Sequence, residues 1–172
     1  STWGRFRSEP AAPTRHIRGV CGRMGHMDSA LRPRRSVLFM PGANARALEK
    51  ARVIDCDGII IDLEDAVAPD LKVEARERAA EVVEGRPYGY REVAIRVNGM
   101  DTEWYHNDIK AAVAAGPDAI AVPKVGSAEQ VRSIVADMEA AGAGEDIKLW
   151  AMIETPRAVL DCAEIAEASD RL

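Results

Sequence analysis

Short apolar runs recur along the chain between Ser36 and Ile153, separated by longer stretches of mixed polarity. Each run has five or six residues and is largely continuous rather than alternating, which is typical of parallel strands covered on both faces. The five predicted strands are 36–40, 58–62, 92–97, 118–122 and 148–153.

The stretches between these runs carry helix signals. The predicted helices are 45–51, 70–84, 109–115, one from Ser127 to about 141, and 157–168. Ser127 and Thr155 are suited to cap two of them, and Ser127 with Gln130 has the spacing of a capping box. Asp108 is expected to open the third helix, and Gly85 is expected to close the second with a positive φ angle.

The alternation of strand and helix predicts an α/β protein with a parallel sheet and right-handed crossovers. Two architectures fit this pattern. One is a complete five-stranded, doubly wound open sheet. The other is the first five units of a TIM-type (β/α)8 barrel, because strand starts from 36 to 148 have a mean spacing of 28 residues. Eight such units approach the ~250 residues typical of that barrel. The periodicity alone leaves both architectures open.

Charged side chains follow the predicted strands, at the carboxyl edge of the sheet where both architectures place function. Asp62, Glu64 and Asp65 follow the second strand, and Arg96 lies near the end of the third. The three acids form either a solvated loop or a cluster that requires a cation. Because a buried cation is costly unless paired, we expect Arg96 to neutralise these acids, to bind an anionic ligand, or to do both.

Four further residues are candidates for ligand binding or catalysis. Glu154 directly follows the fifth strand and is either a capping or ion-pairing residue or a hard oxygen ligand for magnesium. Arg46 and Lys50 share one helix face at i and i+4, and are either an ordinary exposed basic pair or a pair that binds the phosphates of a large cofactor. Lys124 follows the fourth strand, but nothing beside it in the sequence favours a Schiff-base lysine.

The charge is distributed unevenly along the chain. The net formal charge is −5, but residues 1–35 contain eight arginines against two acids, so residues 36–172 carry −11. The acidic body argues against nucleic-acid binding, and the chain has no apolar stretch of membrane-spanning length. Residues 1–33 are predicted to be a disordered basic extension and residues 34–172 the folded part. Three scattered cysteines favour a cytoplasmic location, or a mitochondrial one if the extension is a transit peptide.

At these positions the sequence resembles the citrate lyase β-subunit family of CoA-ester lyases, which includes malyl-CoA and citramalyl-CoA lyases within the HpcH/HpaI aldolase group. The resemblance begins near Arg34 and follows the same order through the chain. The blocks that carry it are RRSVLFMPGANARALEKA, DGIIIDLEDAVAPDLKVEAR, AIRVNG, AIAVPKV and AMIETPRAVLD.

The resemblance implies roles for individual residues. Arg96 in RVNG matches the arginine that binds the carboxylate of the acid, and Glu154 in IET matches a magnesium ligand that contacts substrate. Phe39, Arg46 and Lys50, with the stretch 55–60, fall where the family contacts coenzyme A.

The resemblance also implies an activity, which is magnesium-dependent cleavage of a citryl-, malyl- or citramalyl-type CoA thioester to an oxo-acid and acetyl-CoA. It implies a barrel truncated to about five βα units, since a second metal-binding Asp and a catalytic Asp of the family lie beyond residue 172. The chain alone is therefore expected to be inactive, and the complete protein to be a homo-oligomer, a trimer or hexamer. The alternatives are a non-catalytic CoA-binding paralogue and a receiver-like signalling module.

Overall fold

Strands and helices alternate along residues 32–172, the part of the chain that the computed structural model describes. The strands are β1 (Val37–Pro41), β2 (Gly58–Asp62), β3 (Glu92–Arg96), β4 (Ala119–Val122) and β5 (Lys148–Ala151). The helices are α1 (Ala45–Ala51), α2 (Lys72–Glu84), α3 (Tyr105–Ala115), α4 (Ala128–Ala140), α5 (Pro156–Leu160) and α6 (Cys162–Ala166). None of these helices combines the length and apolarity needed to span a membrane.

The strands form one parallel sheet in the order β1-β2-β3-β4-β5. A doubly wound sheet reverses its strand order at a switch point, whereas a barrel adds each strand beside the preceding one. The observed order therefore confirms the barrel-type prediction and excludes the doubly wound alternative. Within residues 32–172, β1 and β5 are edge strands and the sheet is not closed.

The apolar clusters on the two faces of the sheet differ in size and composition. Ile59, Ile61 and Ile95 belong to the large apolar core that the helices cover. The alternate positions of the same strands form a separate small cluster on the other face, around Ile60 and Ala94. Because side chains alternate along a strand, this second face also carries the charged residues Asp62 and Arg96, which stand two positions after Ile60 and Ala94.

Three arginines before β1 form ion pairs at the amino edge of the sheet, each with one acidic residue. Arg35 pairs with Asp57 at 2.8 Å before β2, and Arg34 donates to Glu92 at 2.9 Å at the start of β3. Arg32 pairs at 2.8 Å with Asp118, which precedes β4. The proposed extension 1–33 lies outside the described residues except for its last two positions. Arg32 contacts the sheet through Asp118, and the division of the chain at residue 33 stays a prediction.

The predicted caps of two helices are present. Ser127 accepts a hydrogen bond from the backbone N–H of Gln130, and Thr155 accepts one from Ala158. The capping box differs from the expectation, because the Gln130 side chain accepts from the backbone N–H of Gly126, one residue before the cap.

Three local predictions were wrong. Gly85 has φ −69° because the helical hydrogen bonding continues through it, and Arg86 takes the positive φ of 44° instead. Asp108 does not open α3, which begins at Tyr105, and it is fully buried inside that helix. The predicted helix 157–168 is divided at Asp161, where φ −94° and ψ 12° leave the helical region.

Candidate active site

The carboxyl edge of the sheet gathers side chains from four consecutive strands. Asp62 and Arg96 are the last residues of β2 and β3, and lie side by side in the sheet register. Lys124 follows β4 by two residues, and Glu154 follows β5 by three. The two residues expected to bind acid and metal, Arg96 and Glu154, therefore lie at the same edge.

Arg96 is held by a two-pronged ion pair with Asp62. Its Nε and Nη2 each donate to one carboxylate oxygen at 2.7 Å, and both side chains are more than nine-tenths buried. Burial acts to raise the pKa of Asp62, but hydrogen bonds from Arg96 and from the backbone N–H groups of Glu64 and Ala66 outweigh it and lower that pKa. Asp62 is thus an ionised counter-charge. The guanidinium keeps N–H groups on Nη1 and Nη2 for another anion.

Glu64 links Arg96 to Lys124. One of its oxygens lies 3.0 Å from Arg96 Nη1, and the other accepts a hydrogen bond from Lys124 Nζ at 2.9 Å. Asp65 is more distant, 3.9 Å from Arg96 Nη1, and its side chain is 75% exposed. The sequence prediction that Arg96 neutralises the acid cluster is thus realised mainly through Asp62 and Glu64.

Lys124 connects this pair to Glu154 through its backbone. Its N–H donates to Glu154 Oε2 at 2.7 Å, while its ammonium reaches Glu64. Lys124 has φ 55°, a left-handed conformation that non-glycine residues rarely adopt. The hydrogen bond from Lys124 to Glu64 raises the pKa of the lysine. A continuous chain of contacts therefore runs from Arg96 through Glu64 and Lys124 to Glu154.

The residues expected to contact coenzyme A are dispersed. Phe39 is 46% exposed, and the centre of its ring lies 5.1 Å from the Arg96 guanidinium, so the ring covers the arginine. Arg46 and Lys50 are exposed on α1. Residues 55–60 lead into and form β2 at the amino end, with Asp57 bound to Arg35. Phe39 pairs with Ile60 in the sheet register, and the part of this stretch in binding coenzyme A stays a prediction.

A buried lysine supports the acid loop from behind. Lys72 is 5% exposed, and its ammonium donates to the backbone oxygens of Leu63 at 2.7 Å and Glu64 at 2.6 Å and to Asn98 Oδ1 at 2.7 Å. Burial lowers the pKa of Lys72, while nearby carboxylates oppose that shift. All three N–H groups of the ammonium are used, which fixes the backbone that presents Glu64.

A second layer of polar contacts holds Asn98. Asp108 accepts from the backbone N–H of Asn98 at 3.0 Å, from its side chain at 2.6 Å, and from Arg76 Nε at 2.6 Å. Lys72, Arg76 and the part played by Asp108 were not predicted from the sequence. The available signal was helix periodicity, because Lys72 stands on the same face of α2 as the buried Ala75 and Ala79.

Residues 35–172 match the family described as HpcH/HpaI aldolase/citrate lyase. The chain belongs to this family. The match covers every strand and helix that contributes to the carboxyl-edge site.

Proteins similar to this HpcH/HpaI chain include enzymes with two different names. A (3S)-malyl-CoA thioesterase from Cereibacter sphaeroides is 50% identical over 135 residues, which are 78% of this chain and 45% of the relative. A citrate lyase subunit β from Leuconostoc mesenteroides subsp. cremoris is 40% identical over 147 residues, 82% of this chain and 48% of the relative. The chain thus spans about half the length of these relatives.

The fold also matches a solved structure of the family. It is titled as a citrate lyase β subunit from M. tuberculosis complexed with oxaloacetate and magnesium. The TM-score is 0.61 with 28% sequence identity, over 80% of this chain and 56% of the other. This likeness agrees with the barrel-type sheet order.

The charges at the edge of this HpcH/HpaI sheet are suited to a cation. The four carboxylates face only three cations, and the seven side chains together carry a net charge of −1. These residues are Asp62, Glu64, Asp65, Glu154, Arg96, Lys72 and Lys124. Glu154 is exposed and uses one oxygen for the Lys124 amide, so its carboxylate is open to magnesium. Residues 32–172 contain no group of three metal-ligating side chains, so Glu154 can supply only part of such a site.

Proposed function

We propose that the full-length protein is a magnesium-dependent CoA-ester lyase that cleaves a citryl-, malyl- or citramalyl-type thioester to an oxo-acid and acetyl-CoA. Membership of the HpcH/HpaI aldolase/citrate lyase family supports a lyase-type enzyme. The observation that carries the proposal is the chain of contacts at one edge of the sheet, from Arg96 through Glu64 and Lys124 to Glu154.

In this proposal Arg96 binds the carboxylate of the hydroxy-acid. The guanidinium is oriented by Asp62, which uses one pair of its N–H groups and leaves donors on the terminal nitrogens. Because Arg96 is buried and covered by Phe39, a carboxylate that reaches it is partly removed from water. Such a contact is stronger and more directional than one at the surface.

Glu154 would hold the magnesium ion on the exposed side of the same site. When bound, the ion would polarise oxygens of the substrate and favour ionisation of its hydroxyl group. The Lys124 amide keeps one oxygen of Glu154 directed toward the site.

The reaction itself breaks one carbon–carbon bond. A general base removes the proton of the substrate hydroxyl, the carbon that bears it becomes the carbonyl carbon of the oxo-acid, and the bonding electrons pass into the thioester as an enolate. Protonation of the enolate carbon gives acetyl-CoA. The reverse direction is a Claisen-type condensation. Oxyanion charge develops at the thioester oxygen and requires donors there.

Thioester hydrolysis is a second candidate function, because the relative that is 50% identical is named as a malyl-CoA thioesterase. In that reaction water attacks the thioester carbonyl and releases malate and the free thiol. The receiver-like alternative does not fit the structure. A receiver of that type has its first strand inside a sheet of order 2-1-3-4-5, whereas the sheet formed by residues 32–172 has the order β1-β2-β3-β4-β5 with β1 at its edge.

The test is to supply the full-length protein with citryl-CoA, malyl-CoA and citramalyl-CoA and to follow oxo-acid and free CoA thiol separately. A lyase releases oxaloacetate, glyoxylate or pyruvate from its substrate with no free thiol, whereas a thioesterase releases thiol with no oxo-acid. A non-catalytic paralogue releases neither. Either of the last two results overturns the proposed lyase activity.

Two variants test the assigned roles. Arg96→Lys keeps the charge but loses the two-pronged geometry, so we expect KM for the oxo-acid in the condensation direction to rise at least about tenfold. Glu154→Gln should weaken magnesium binding in a direct titration, whereas Glu145→Gln, an exposed control, should not. Unchanged magnesium affinity in Glu154→Gln would remove that residue from the metal site. The homo-oligomeric state stays a prediction that sedimentation can measure.

A further inference from the structure

The ammonium of Lys124 is the most accessible cation joined to the site by the contacts described above. Its side chain is 61% exposed, whereas that of Arg96 is 9% exposed. The ammonium makes one hydrogen bond, to Glu64, and its other two N–H groups have no partner among residues 32–172. The site therefore presents a buried cation and an exposed cation on either side of one carboxylate.

The backbone of Lys124 is strained in a way that serves this arrangement. A left-handed conformation is unfavourable for a non-glycine residue and is concentrated at functional sites. At φ 55° the Lys124 N–H reaches Glu154 while its side chain reaches Glu64, 60 residues earlier in the chain. The conformation thus places one residue between the two carboxylates.

We propose that the Lys124 ammonium donates to the thioester oxygen of the substrate and stabilises the enolate that forms there. This assignment rests on the lyase function proposed above. It concerns a separate part of the substrate from the one bound by Arg96.

The distribution of the two cations matches the distribution of charge in the substrate. A hydroxy-acyl thioester has a carboxylate at one end and the thioester carbonyl a few bonds away. The carboxylate takes the buried Arg96, because it is the small end of the substrate. The thioester end carries the bulky coenzyme and must remain on the solvent side, where Lys124 stands.

Glu64 fixes the position of the Lys124 ammonium relative to Arg96. Both oxygens of Glu64 are shared, one with each cation, so the carboxylate fixes the distance between the guanidinium and the ammonium. The two cations are separated by two ion-pair contacts and the width of one carboxylate. An enolate oxygen that approaches the ammonium therefore meets a donor whose position is set before the reaction.

The test isolates enolate formation from bond cleavage. The full-length protein is incubated with acetyl-CoA in deuterium oxide, with an oxo-acid analogue that cannot condense, and deuterium entry into the acetyl group is followed by mass spectrometry. We expect Lys124→Met to slow this exchange about 100-fold, in line with removal of one oxyanion donor. KM for the oxo-acid should change less than about threefold, because Arg96 is intact.

Three further variants separate the charge from the fold. Lys124→Gly retains the left-handed backbone and the amide that binds Glu154 but removes the ammonium, so it should lose exchange as Lys124→Met does. Lys124→Arg keeps a cation and should restore at least a tenth of the wild-type rate. Lys110→Met, an exposed lysine on α3, is the control and should exchange normally.

The outcomes are distinct. Exchange in Lys124→Met within about threefold of wild type, in a protein that cleaves thioesters, overturns the lysine assignment and leaves the lyase function standing. Normal exchange in Lys124→Gly with loss in Lys124→Met also overturns the lysine assignment, because the loss is then caused by the methionine side chain and not by removal of the ammonium. A wild-type protein that neither cleaves nor exchanges overturns the proposed function and this assignment with it.

Discussion

Replacing Lys72 with methionine should destabilise the fold through three buried acceptors. The ammonium donates to Leu63 O, Glu64 O and Asn98 Oδ1, at 2.7, 2.6 and 2.7 Å. Methionine has a similar length and no donor. Each buried acceptor that loses its partner costs about 1–3 kcal/mol, and removal of a buried charge offsets part of that sum.

The expected net loss for Lys72→Met is about 3 kcal/mol, which corresponds to a fall in Tm of about 6–12 °C for a domain of this size. Urea unfolding at neutral pH measures it, with the slope m unchanged if only the folded state is affected. Lys110→Met is the matched control, because that lysine is exposed on α3. A loss for Lys72→Met within about 0.5 kcal/mol of the control would refute the reasoning and show that water replaces the donor.

Two further predictions concern the edges of the sheet. The Arg35 hydrogen bonds lower the pKa of Asp57 from 3.8 to about 2, so the stability from this pair is present above pH ~4 and is lost as the pH falls toward 2. Asp57→Asn should therefore flatten that part of an acid-unfolding curve. An unchanged curve would contradict this prediction. A Cβ at Gly42 would lie 2.9 Å from Leu63 Cδ2 and 3.0 Å from the Asp62 backbone oxygen, so Gly42→Ala should cost about 1–3 kcal/mol in urea unfolding. Gly85→Ala, whose Cβ has ordinary contacts at 3.5 Å, should cost much less, and equal losses would remove the steric explanation.

The strands could be predicted because their signal is local. Each is a short apolar run, and the predicted and observed bounds differ by at most two residues. The choice between barrel and doubly wound sheet could not be made locally, because both contain the same strand and helix alternation. The pairing of the strands decides it: among the described residues, β1 pairs only with β2 and lies at an edge of the sheet.

The same distinction explains the site. Asp62, Arg96 and Glu154 could be identified because they stand directly at strand ends. Lys124 could be placed at the same edge because it follows the fourth strand, but its contacts could not be predicted, because they depend on its own backbone angle and on Glu64, 60 residues away. Lys72 resembled an ordinary first-turn lysine, and its burial depends on acceptors from two other segments of the chain.

Of the three arginines before β1, only Arg32 was assigned to the predicted extension, and the partners of all three are distant in sequence. Arg35 meets an acid 22 residues later and Arg34 one 58 residues later, and the partner of Arg32, Asp118, comes later still. A ribosome delivers the strands beside these acids in that same succession, at about 5–20 residues per second. Arg35 can therefore engage first, Arg34 next and Arg32 last, so that nascent β2, β3 and β4 are each secured to the segment that preceded β1 soon after they emerge.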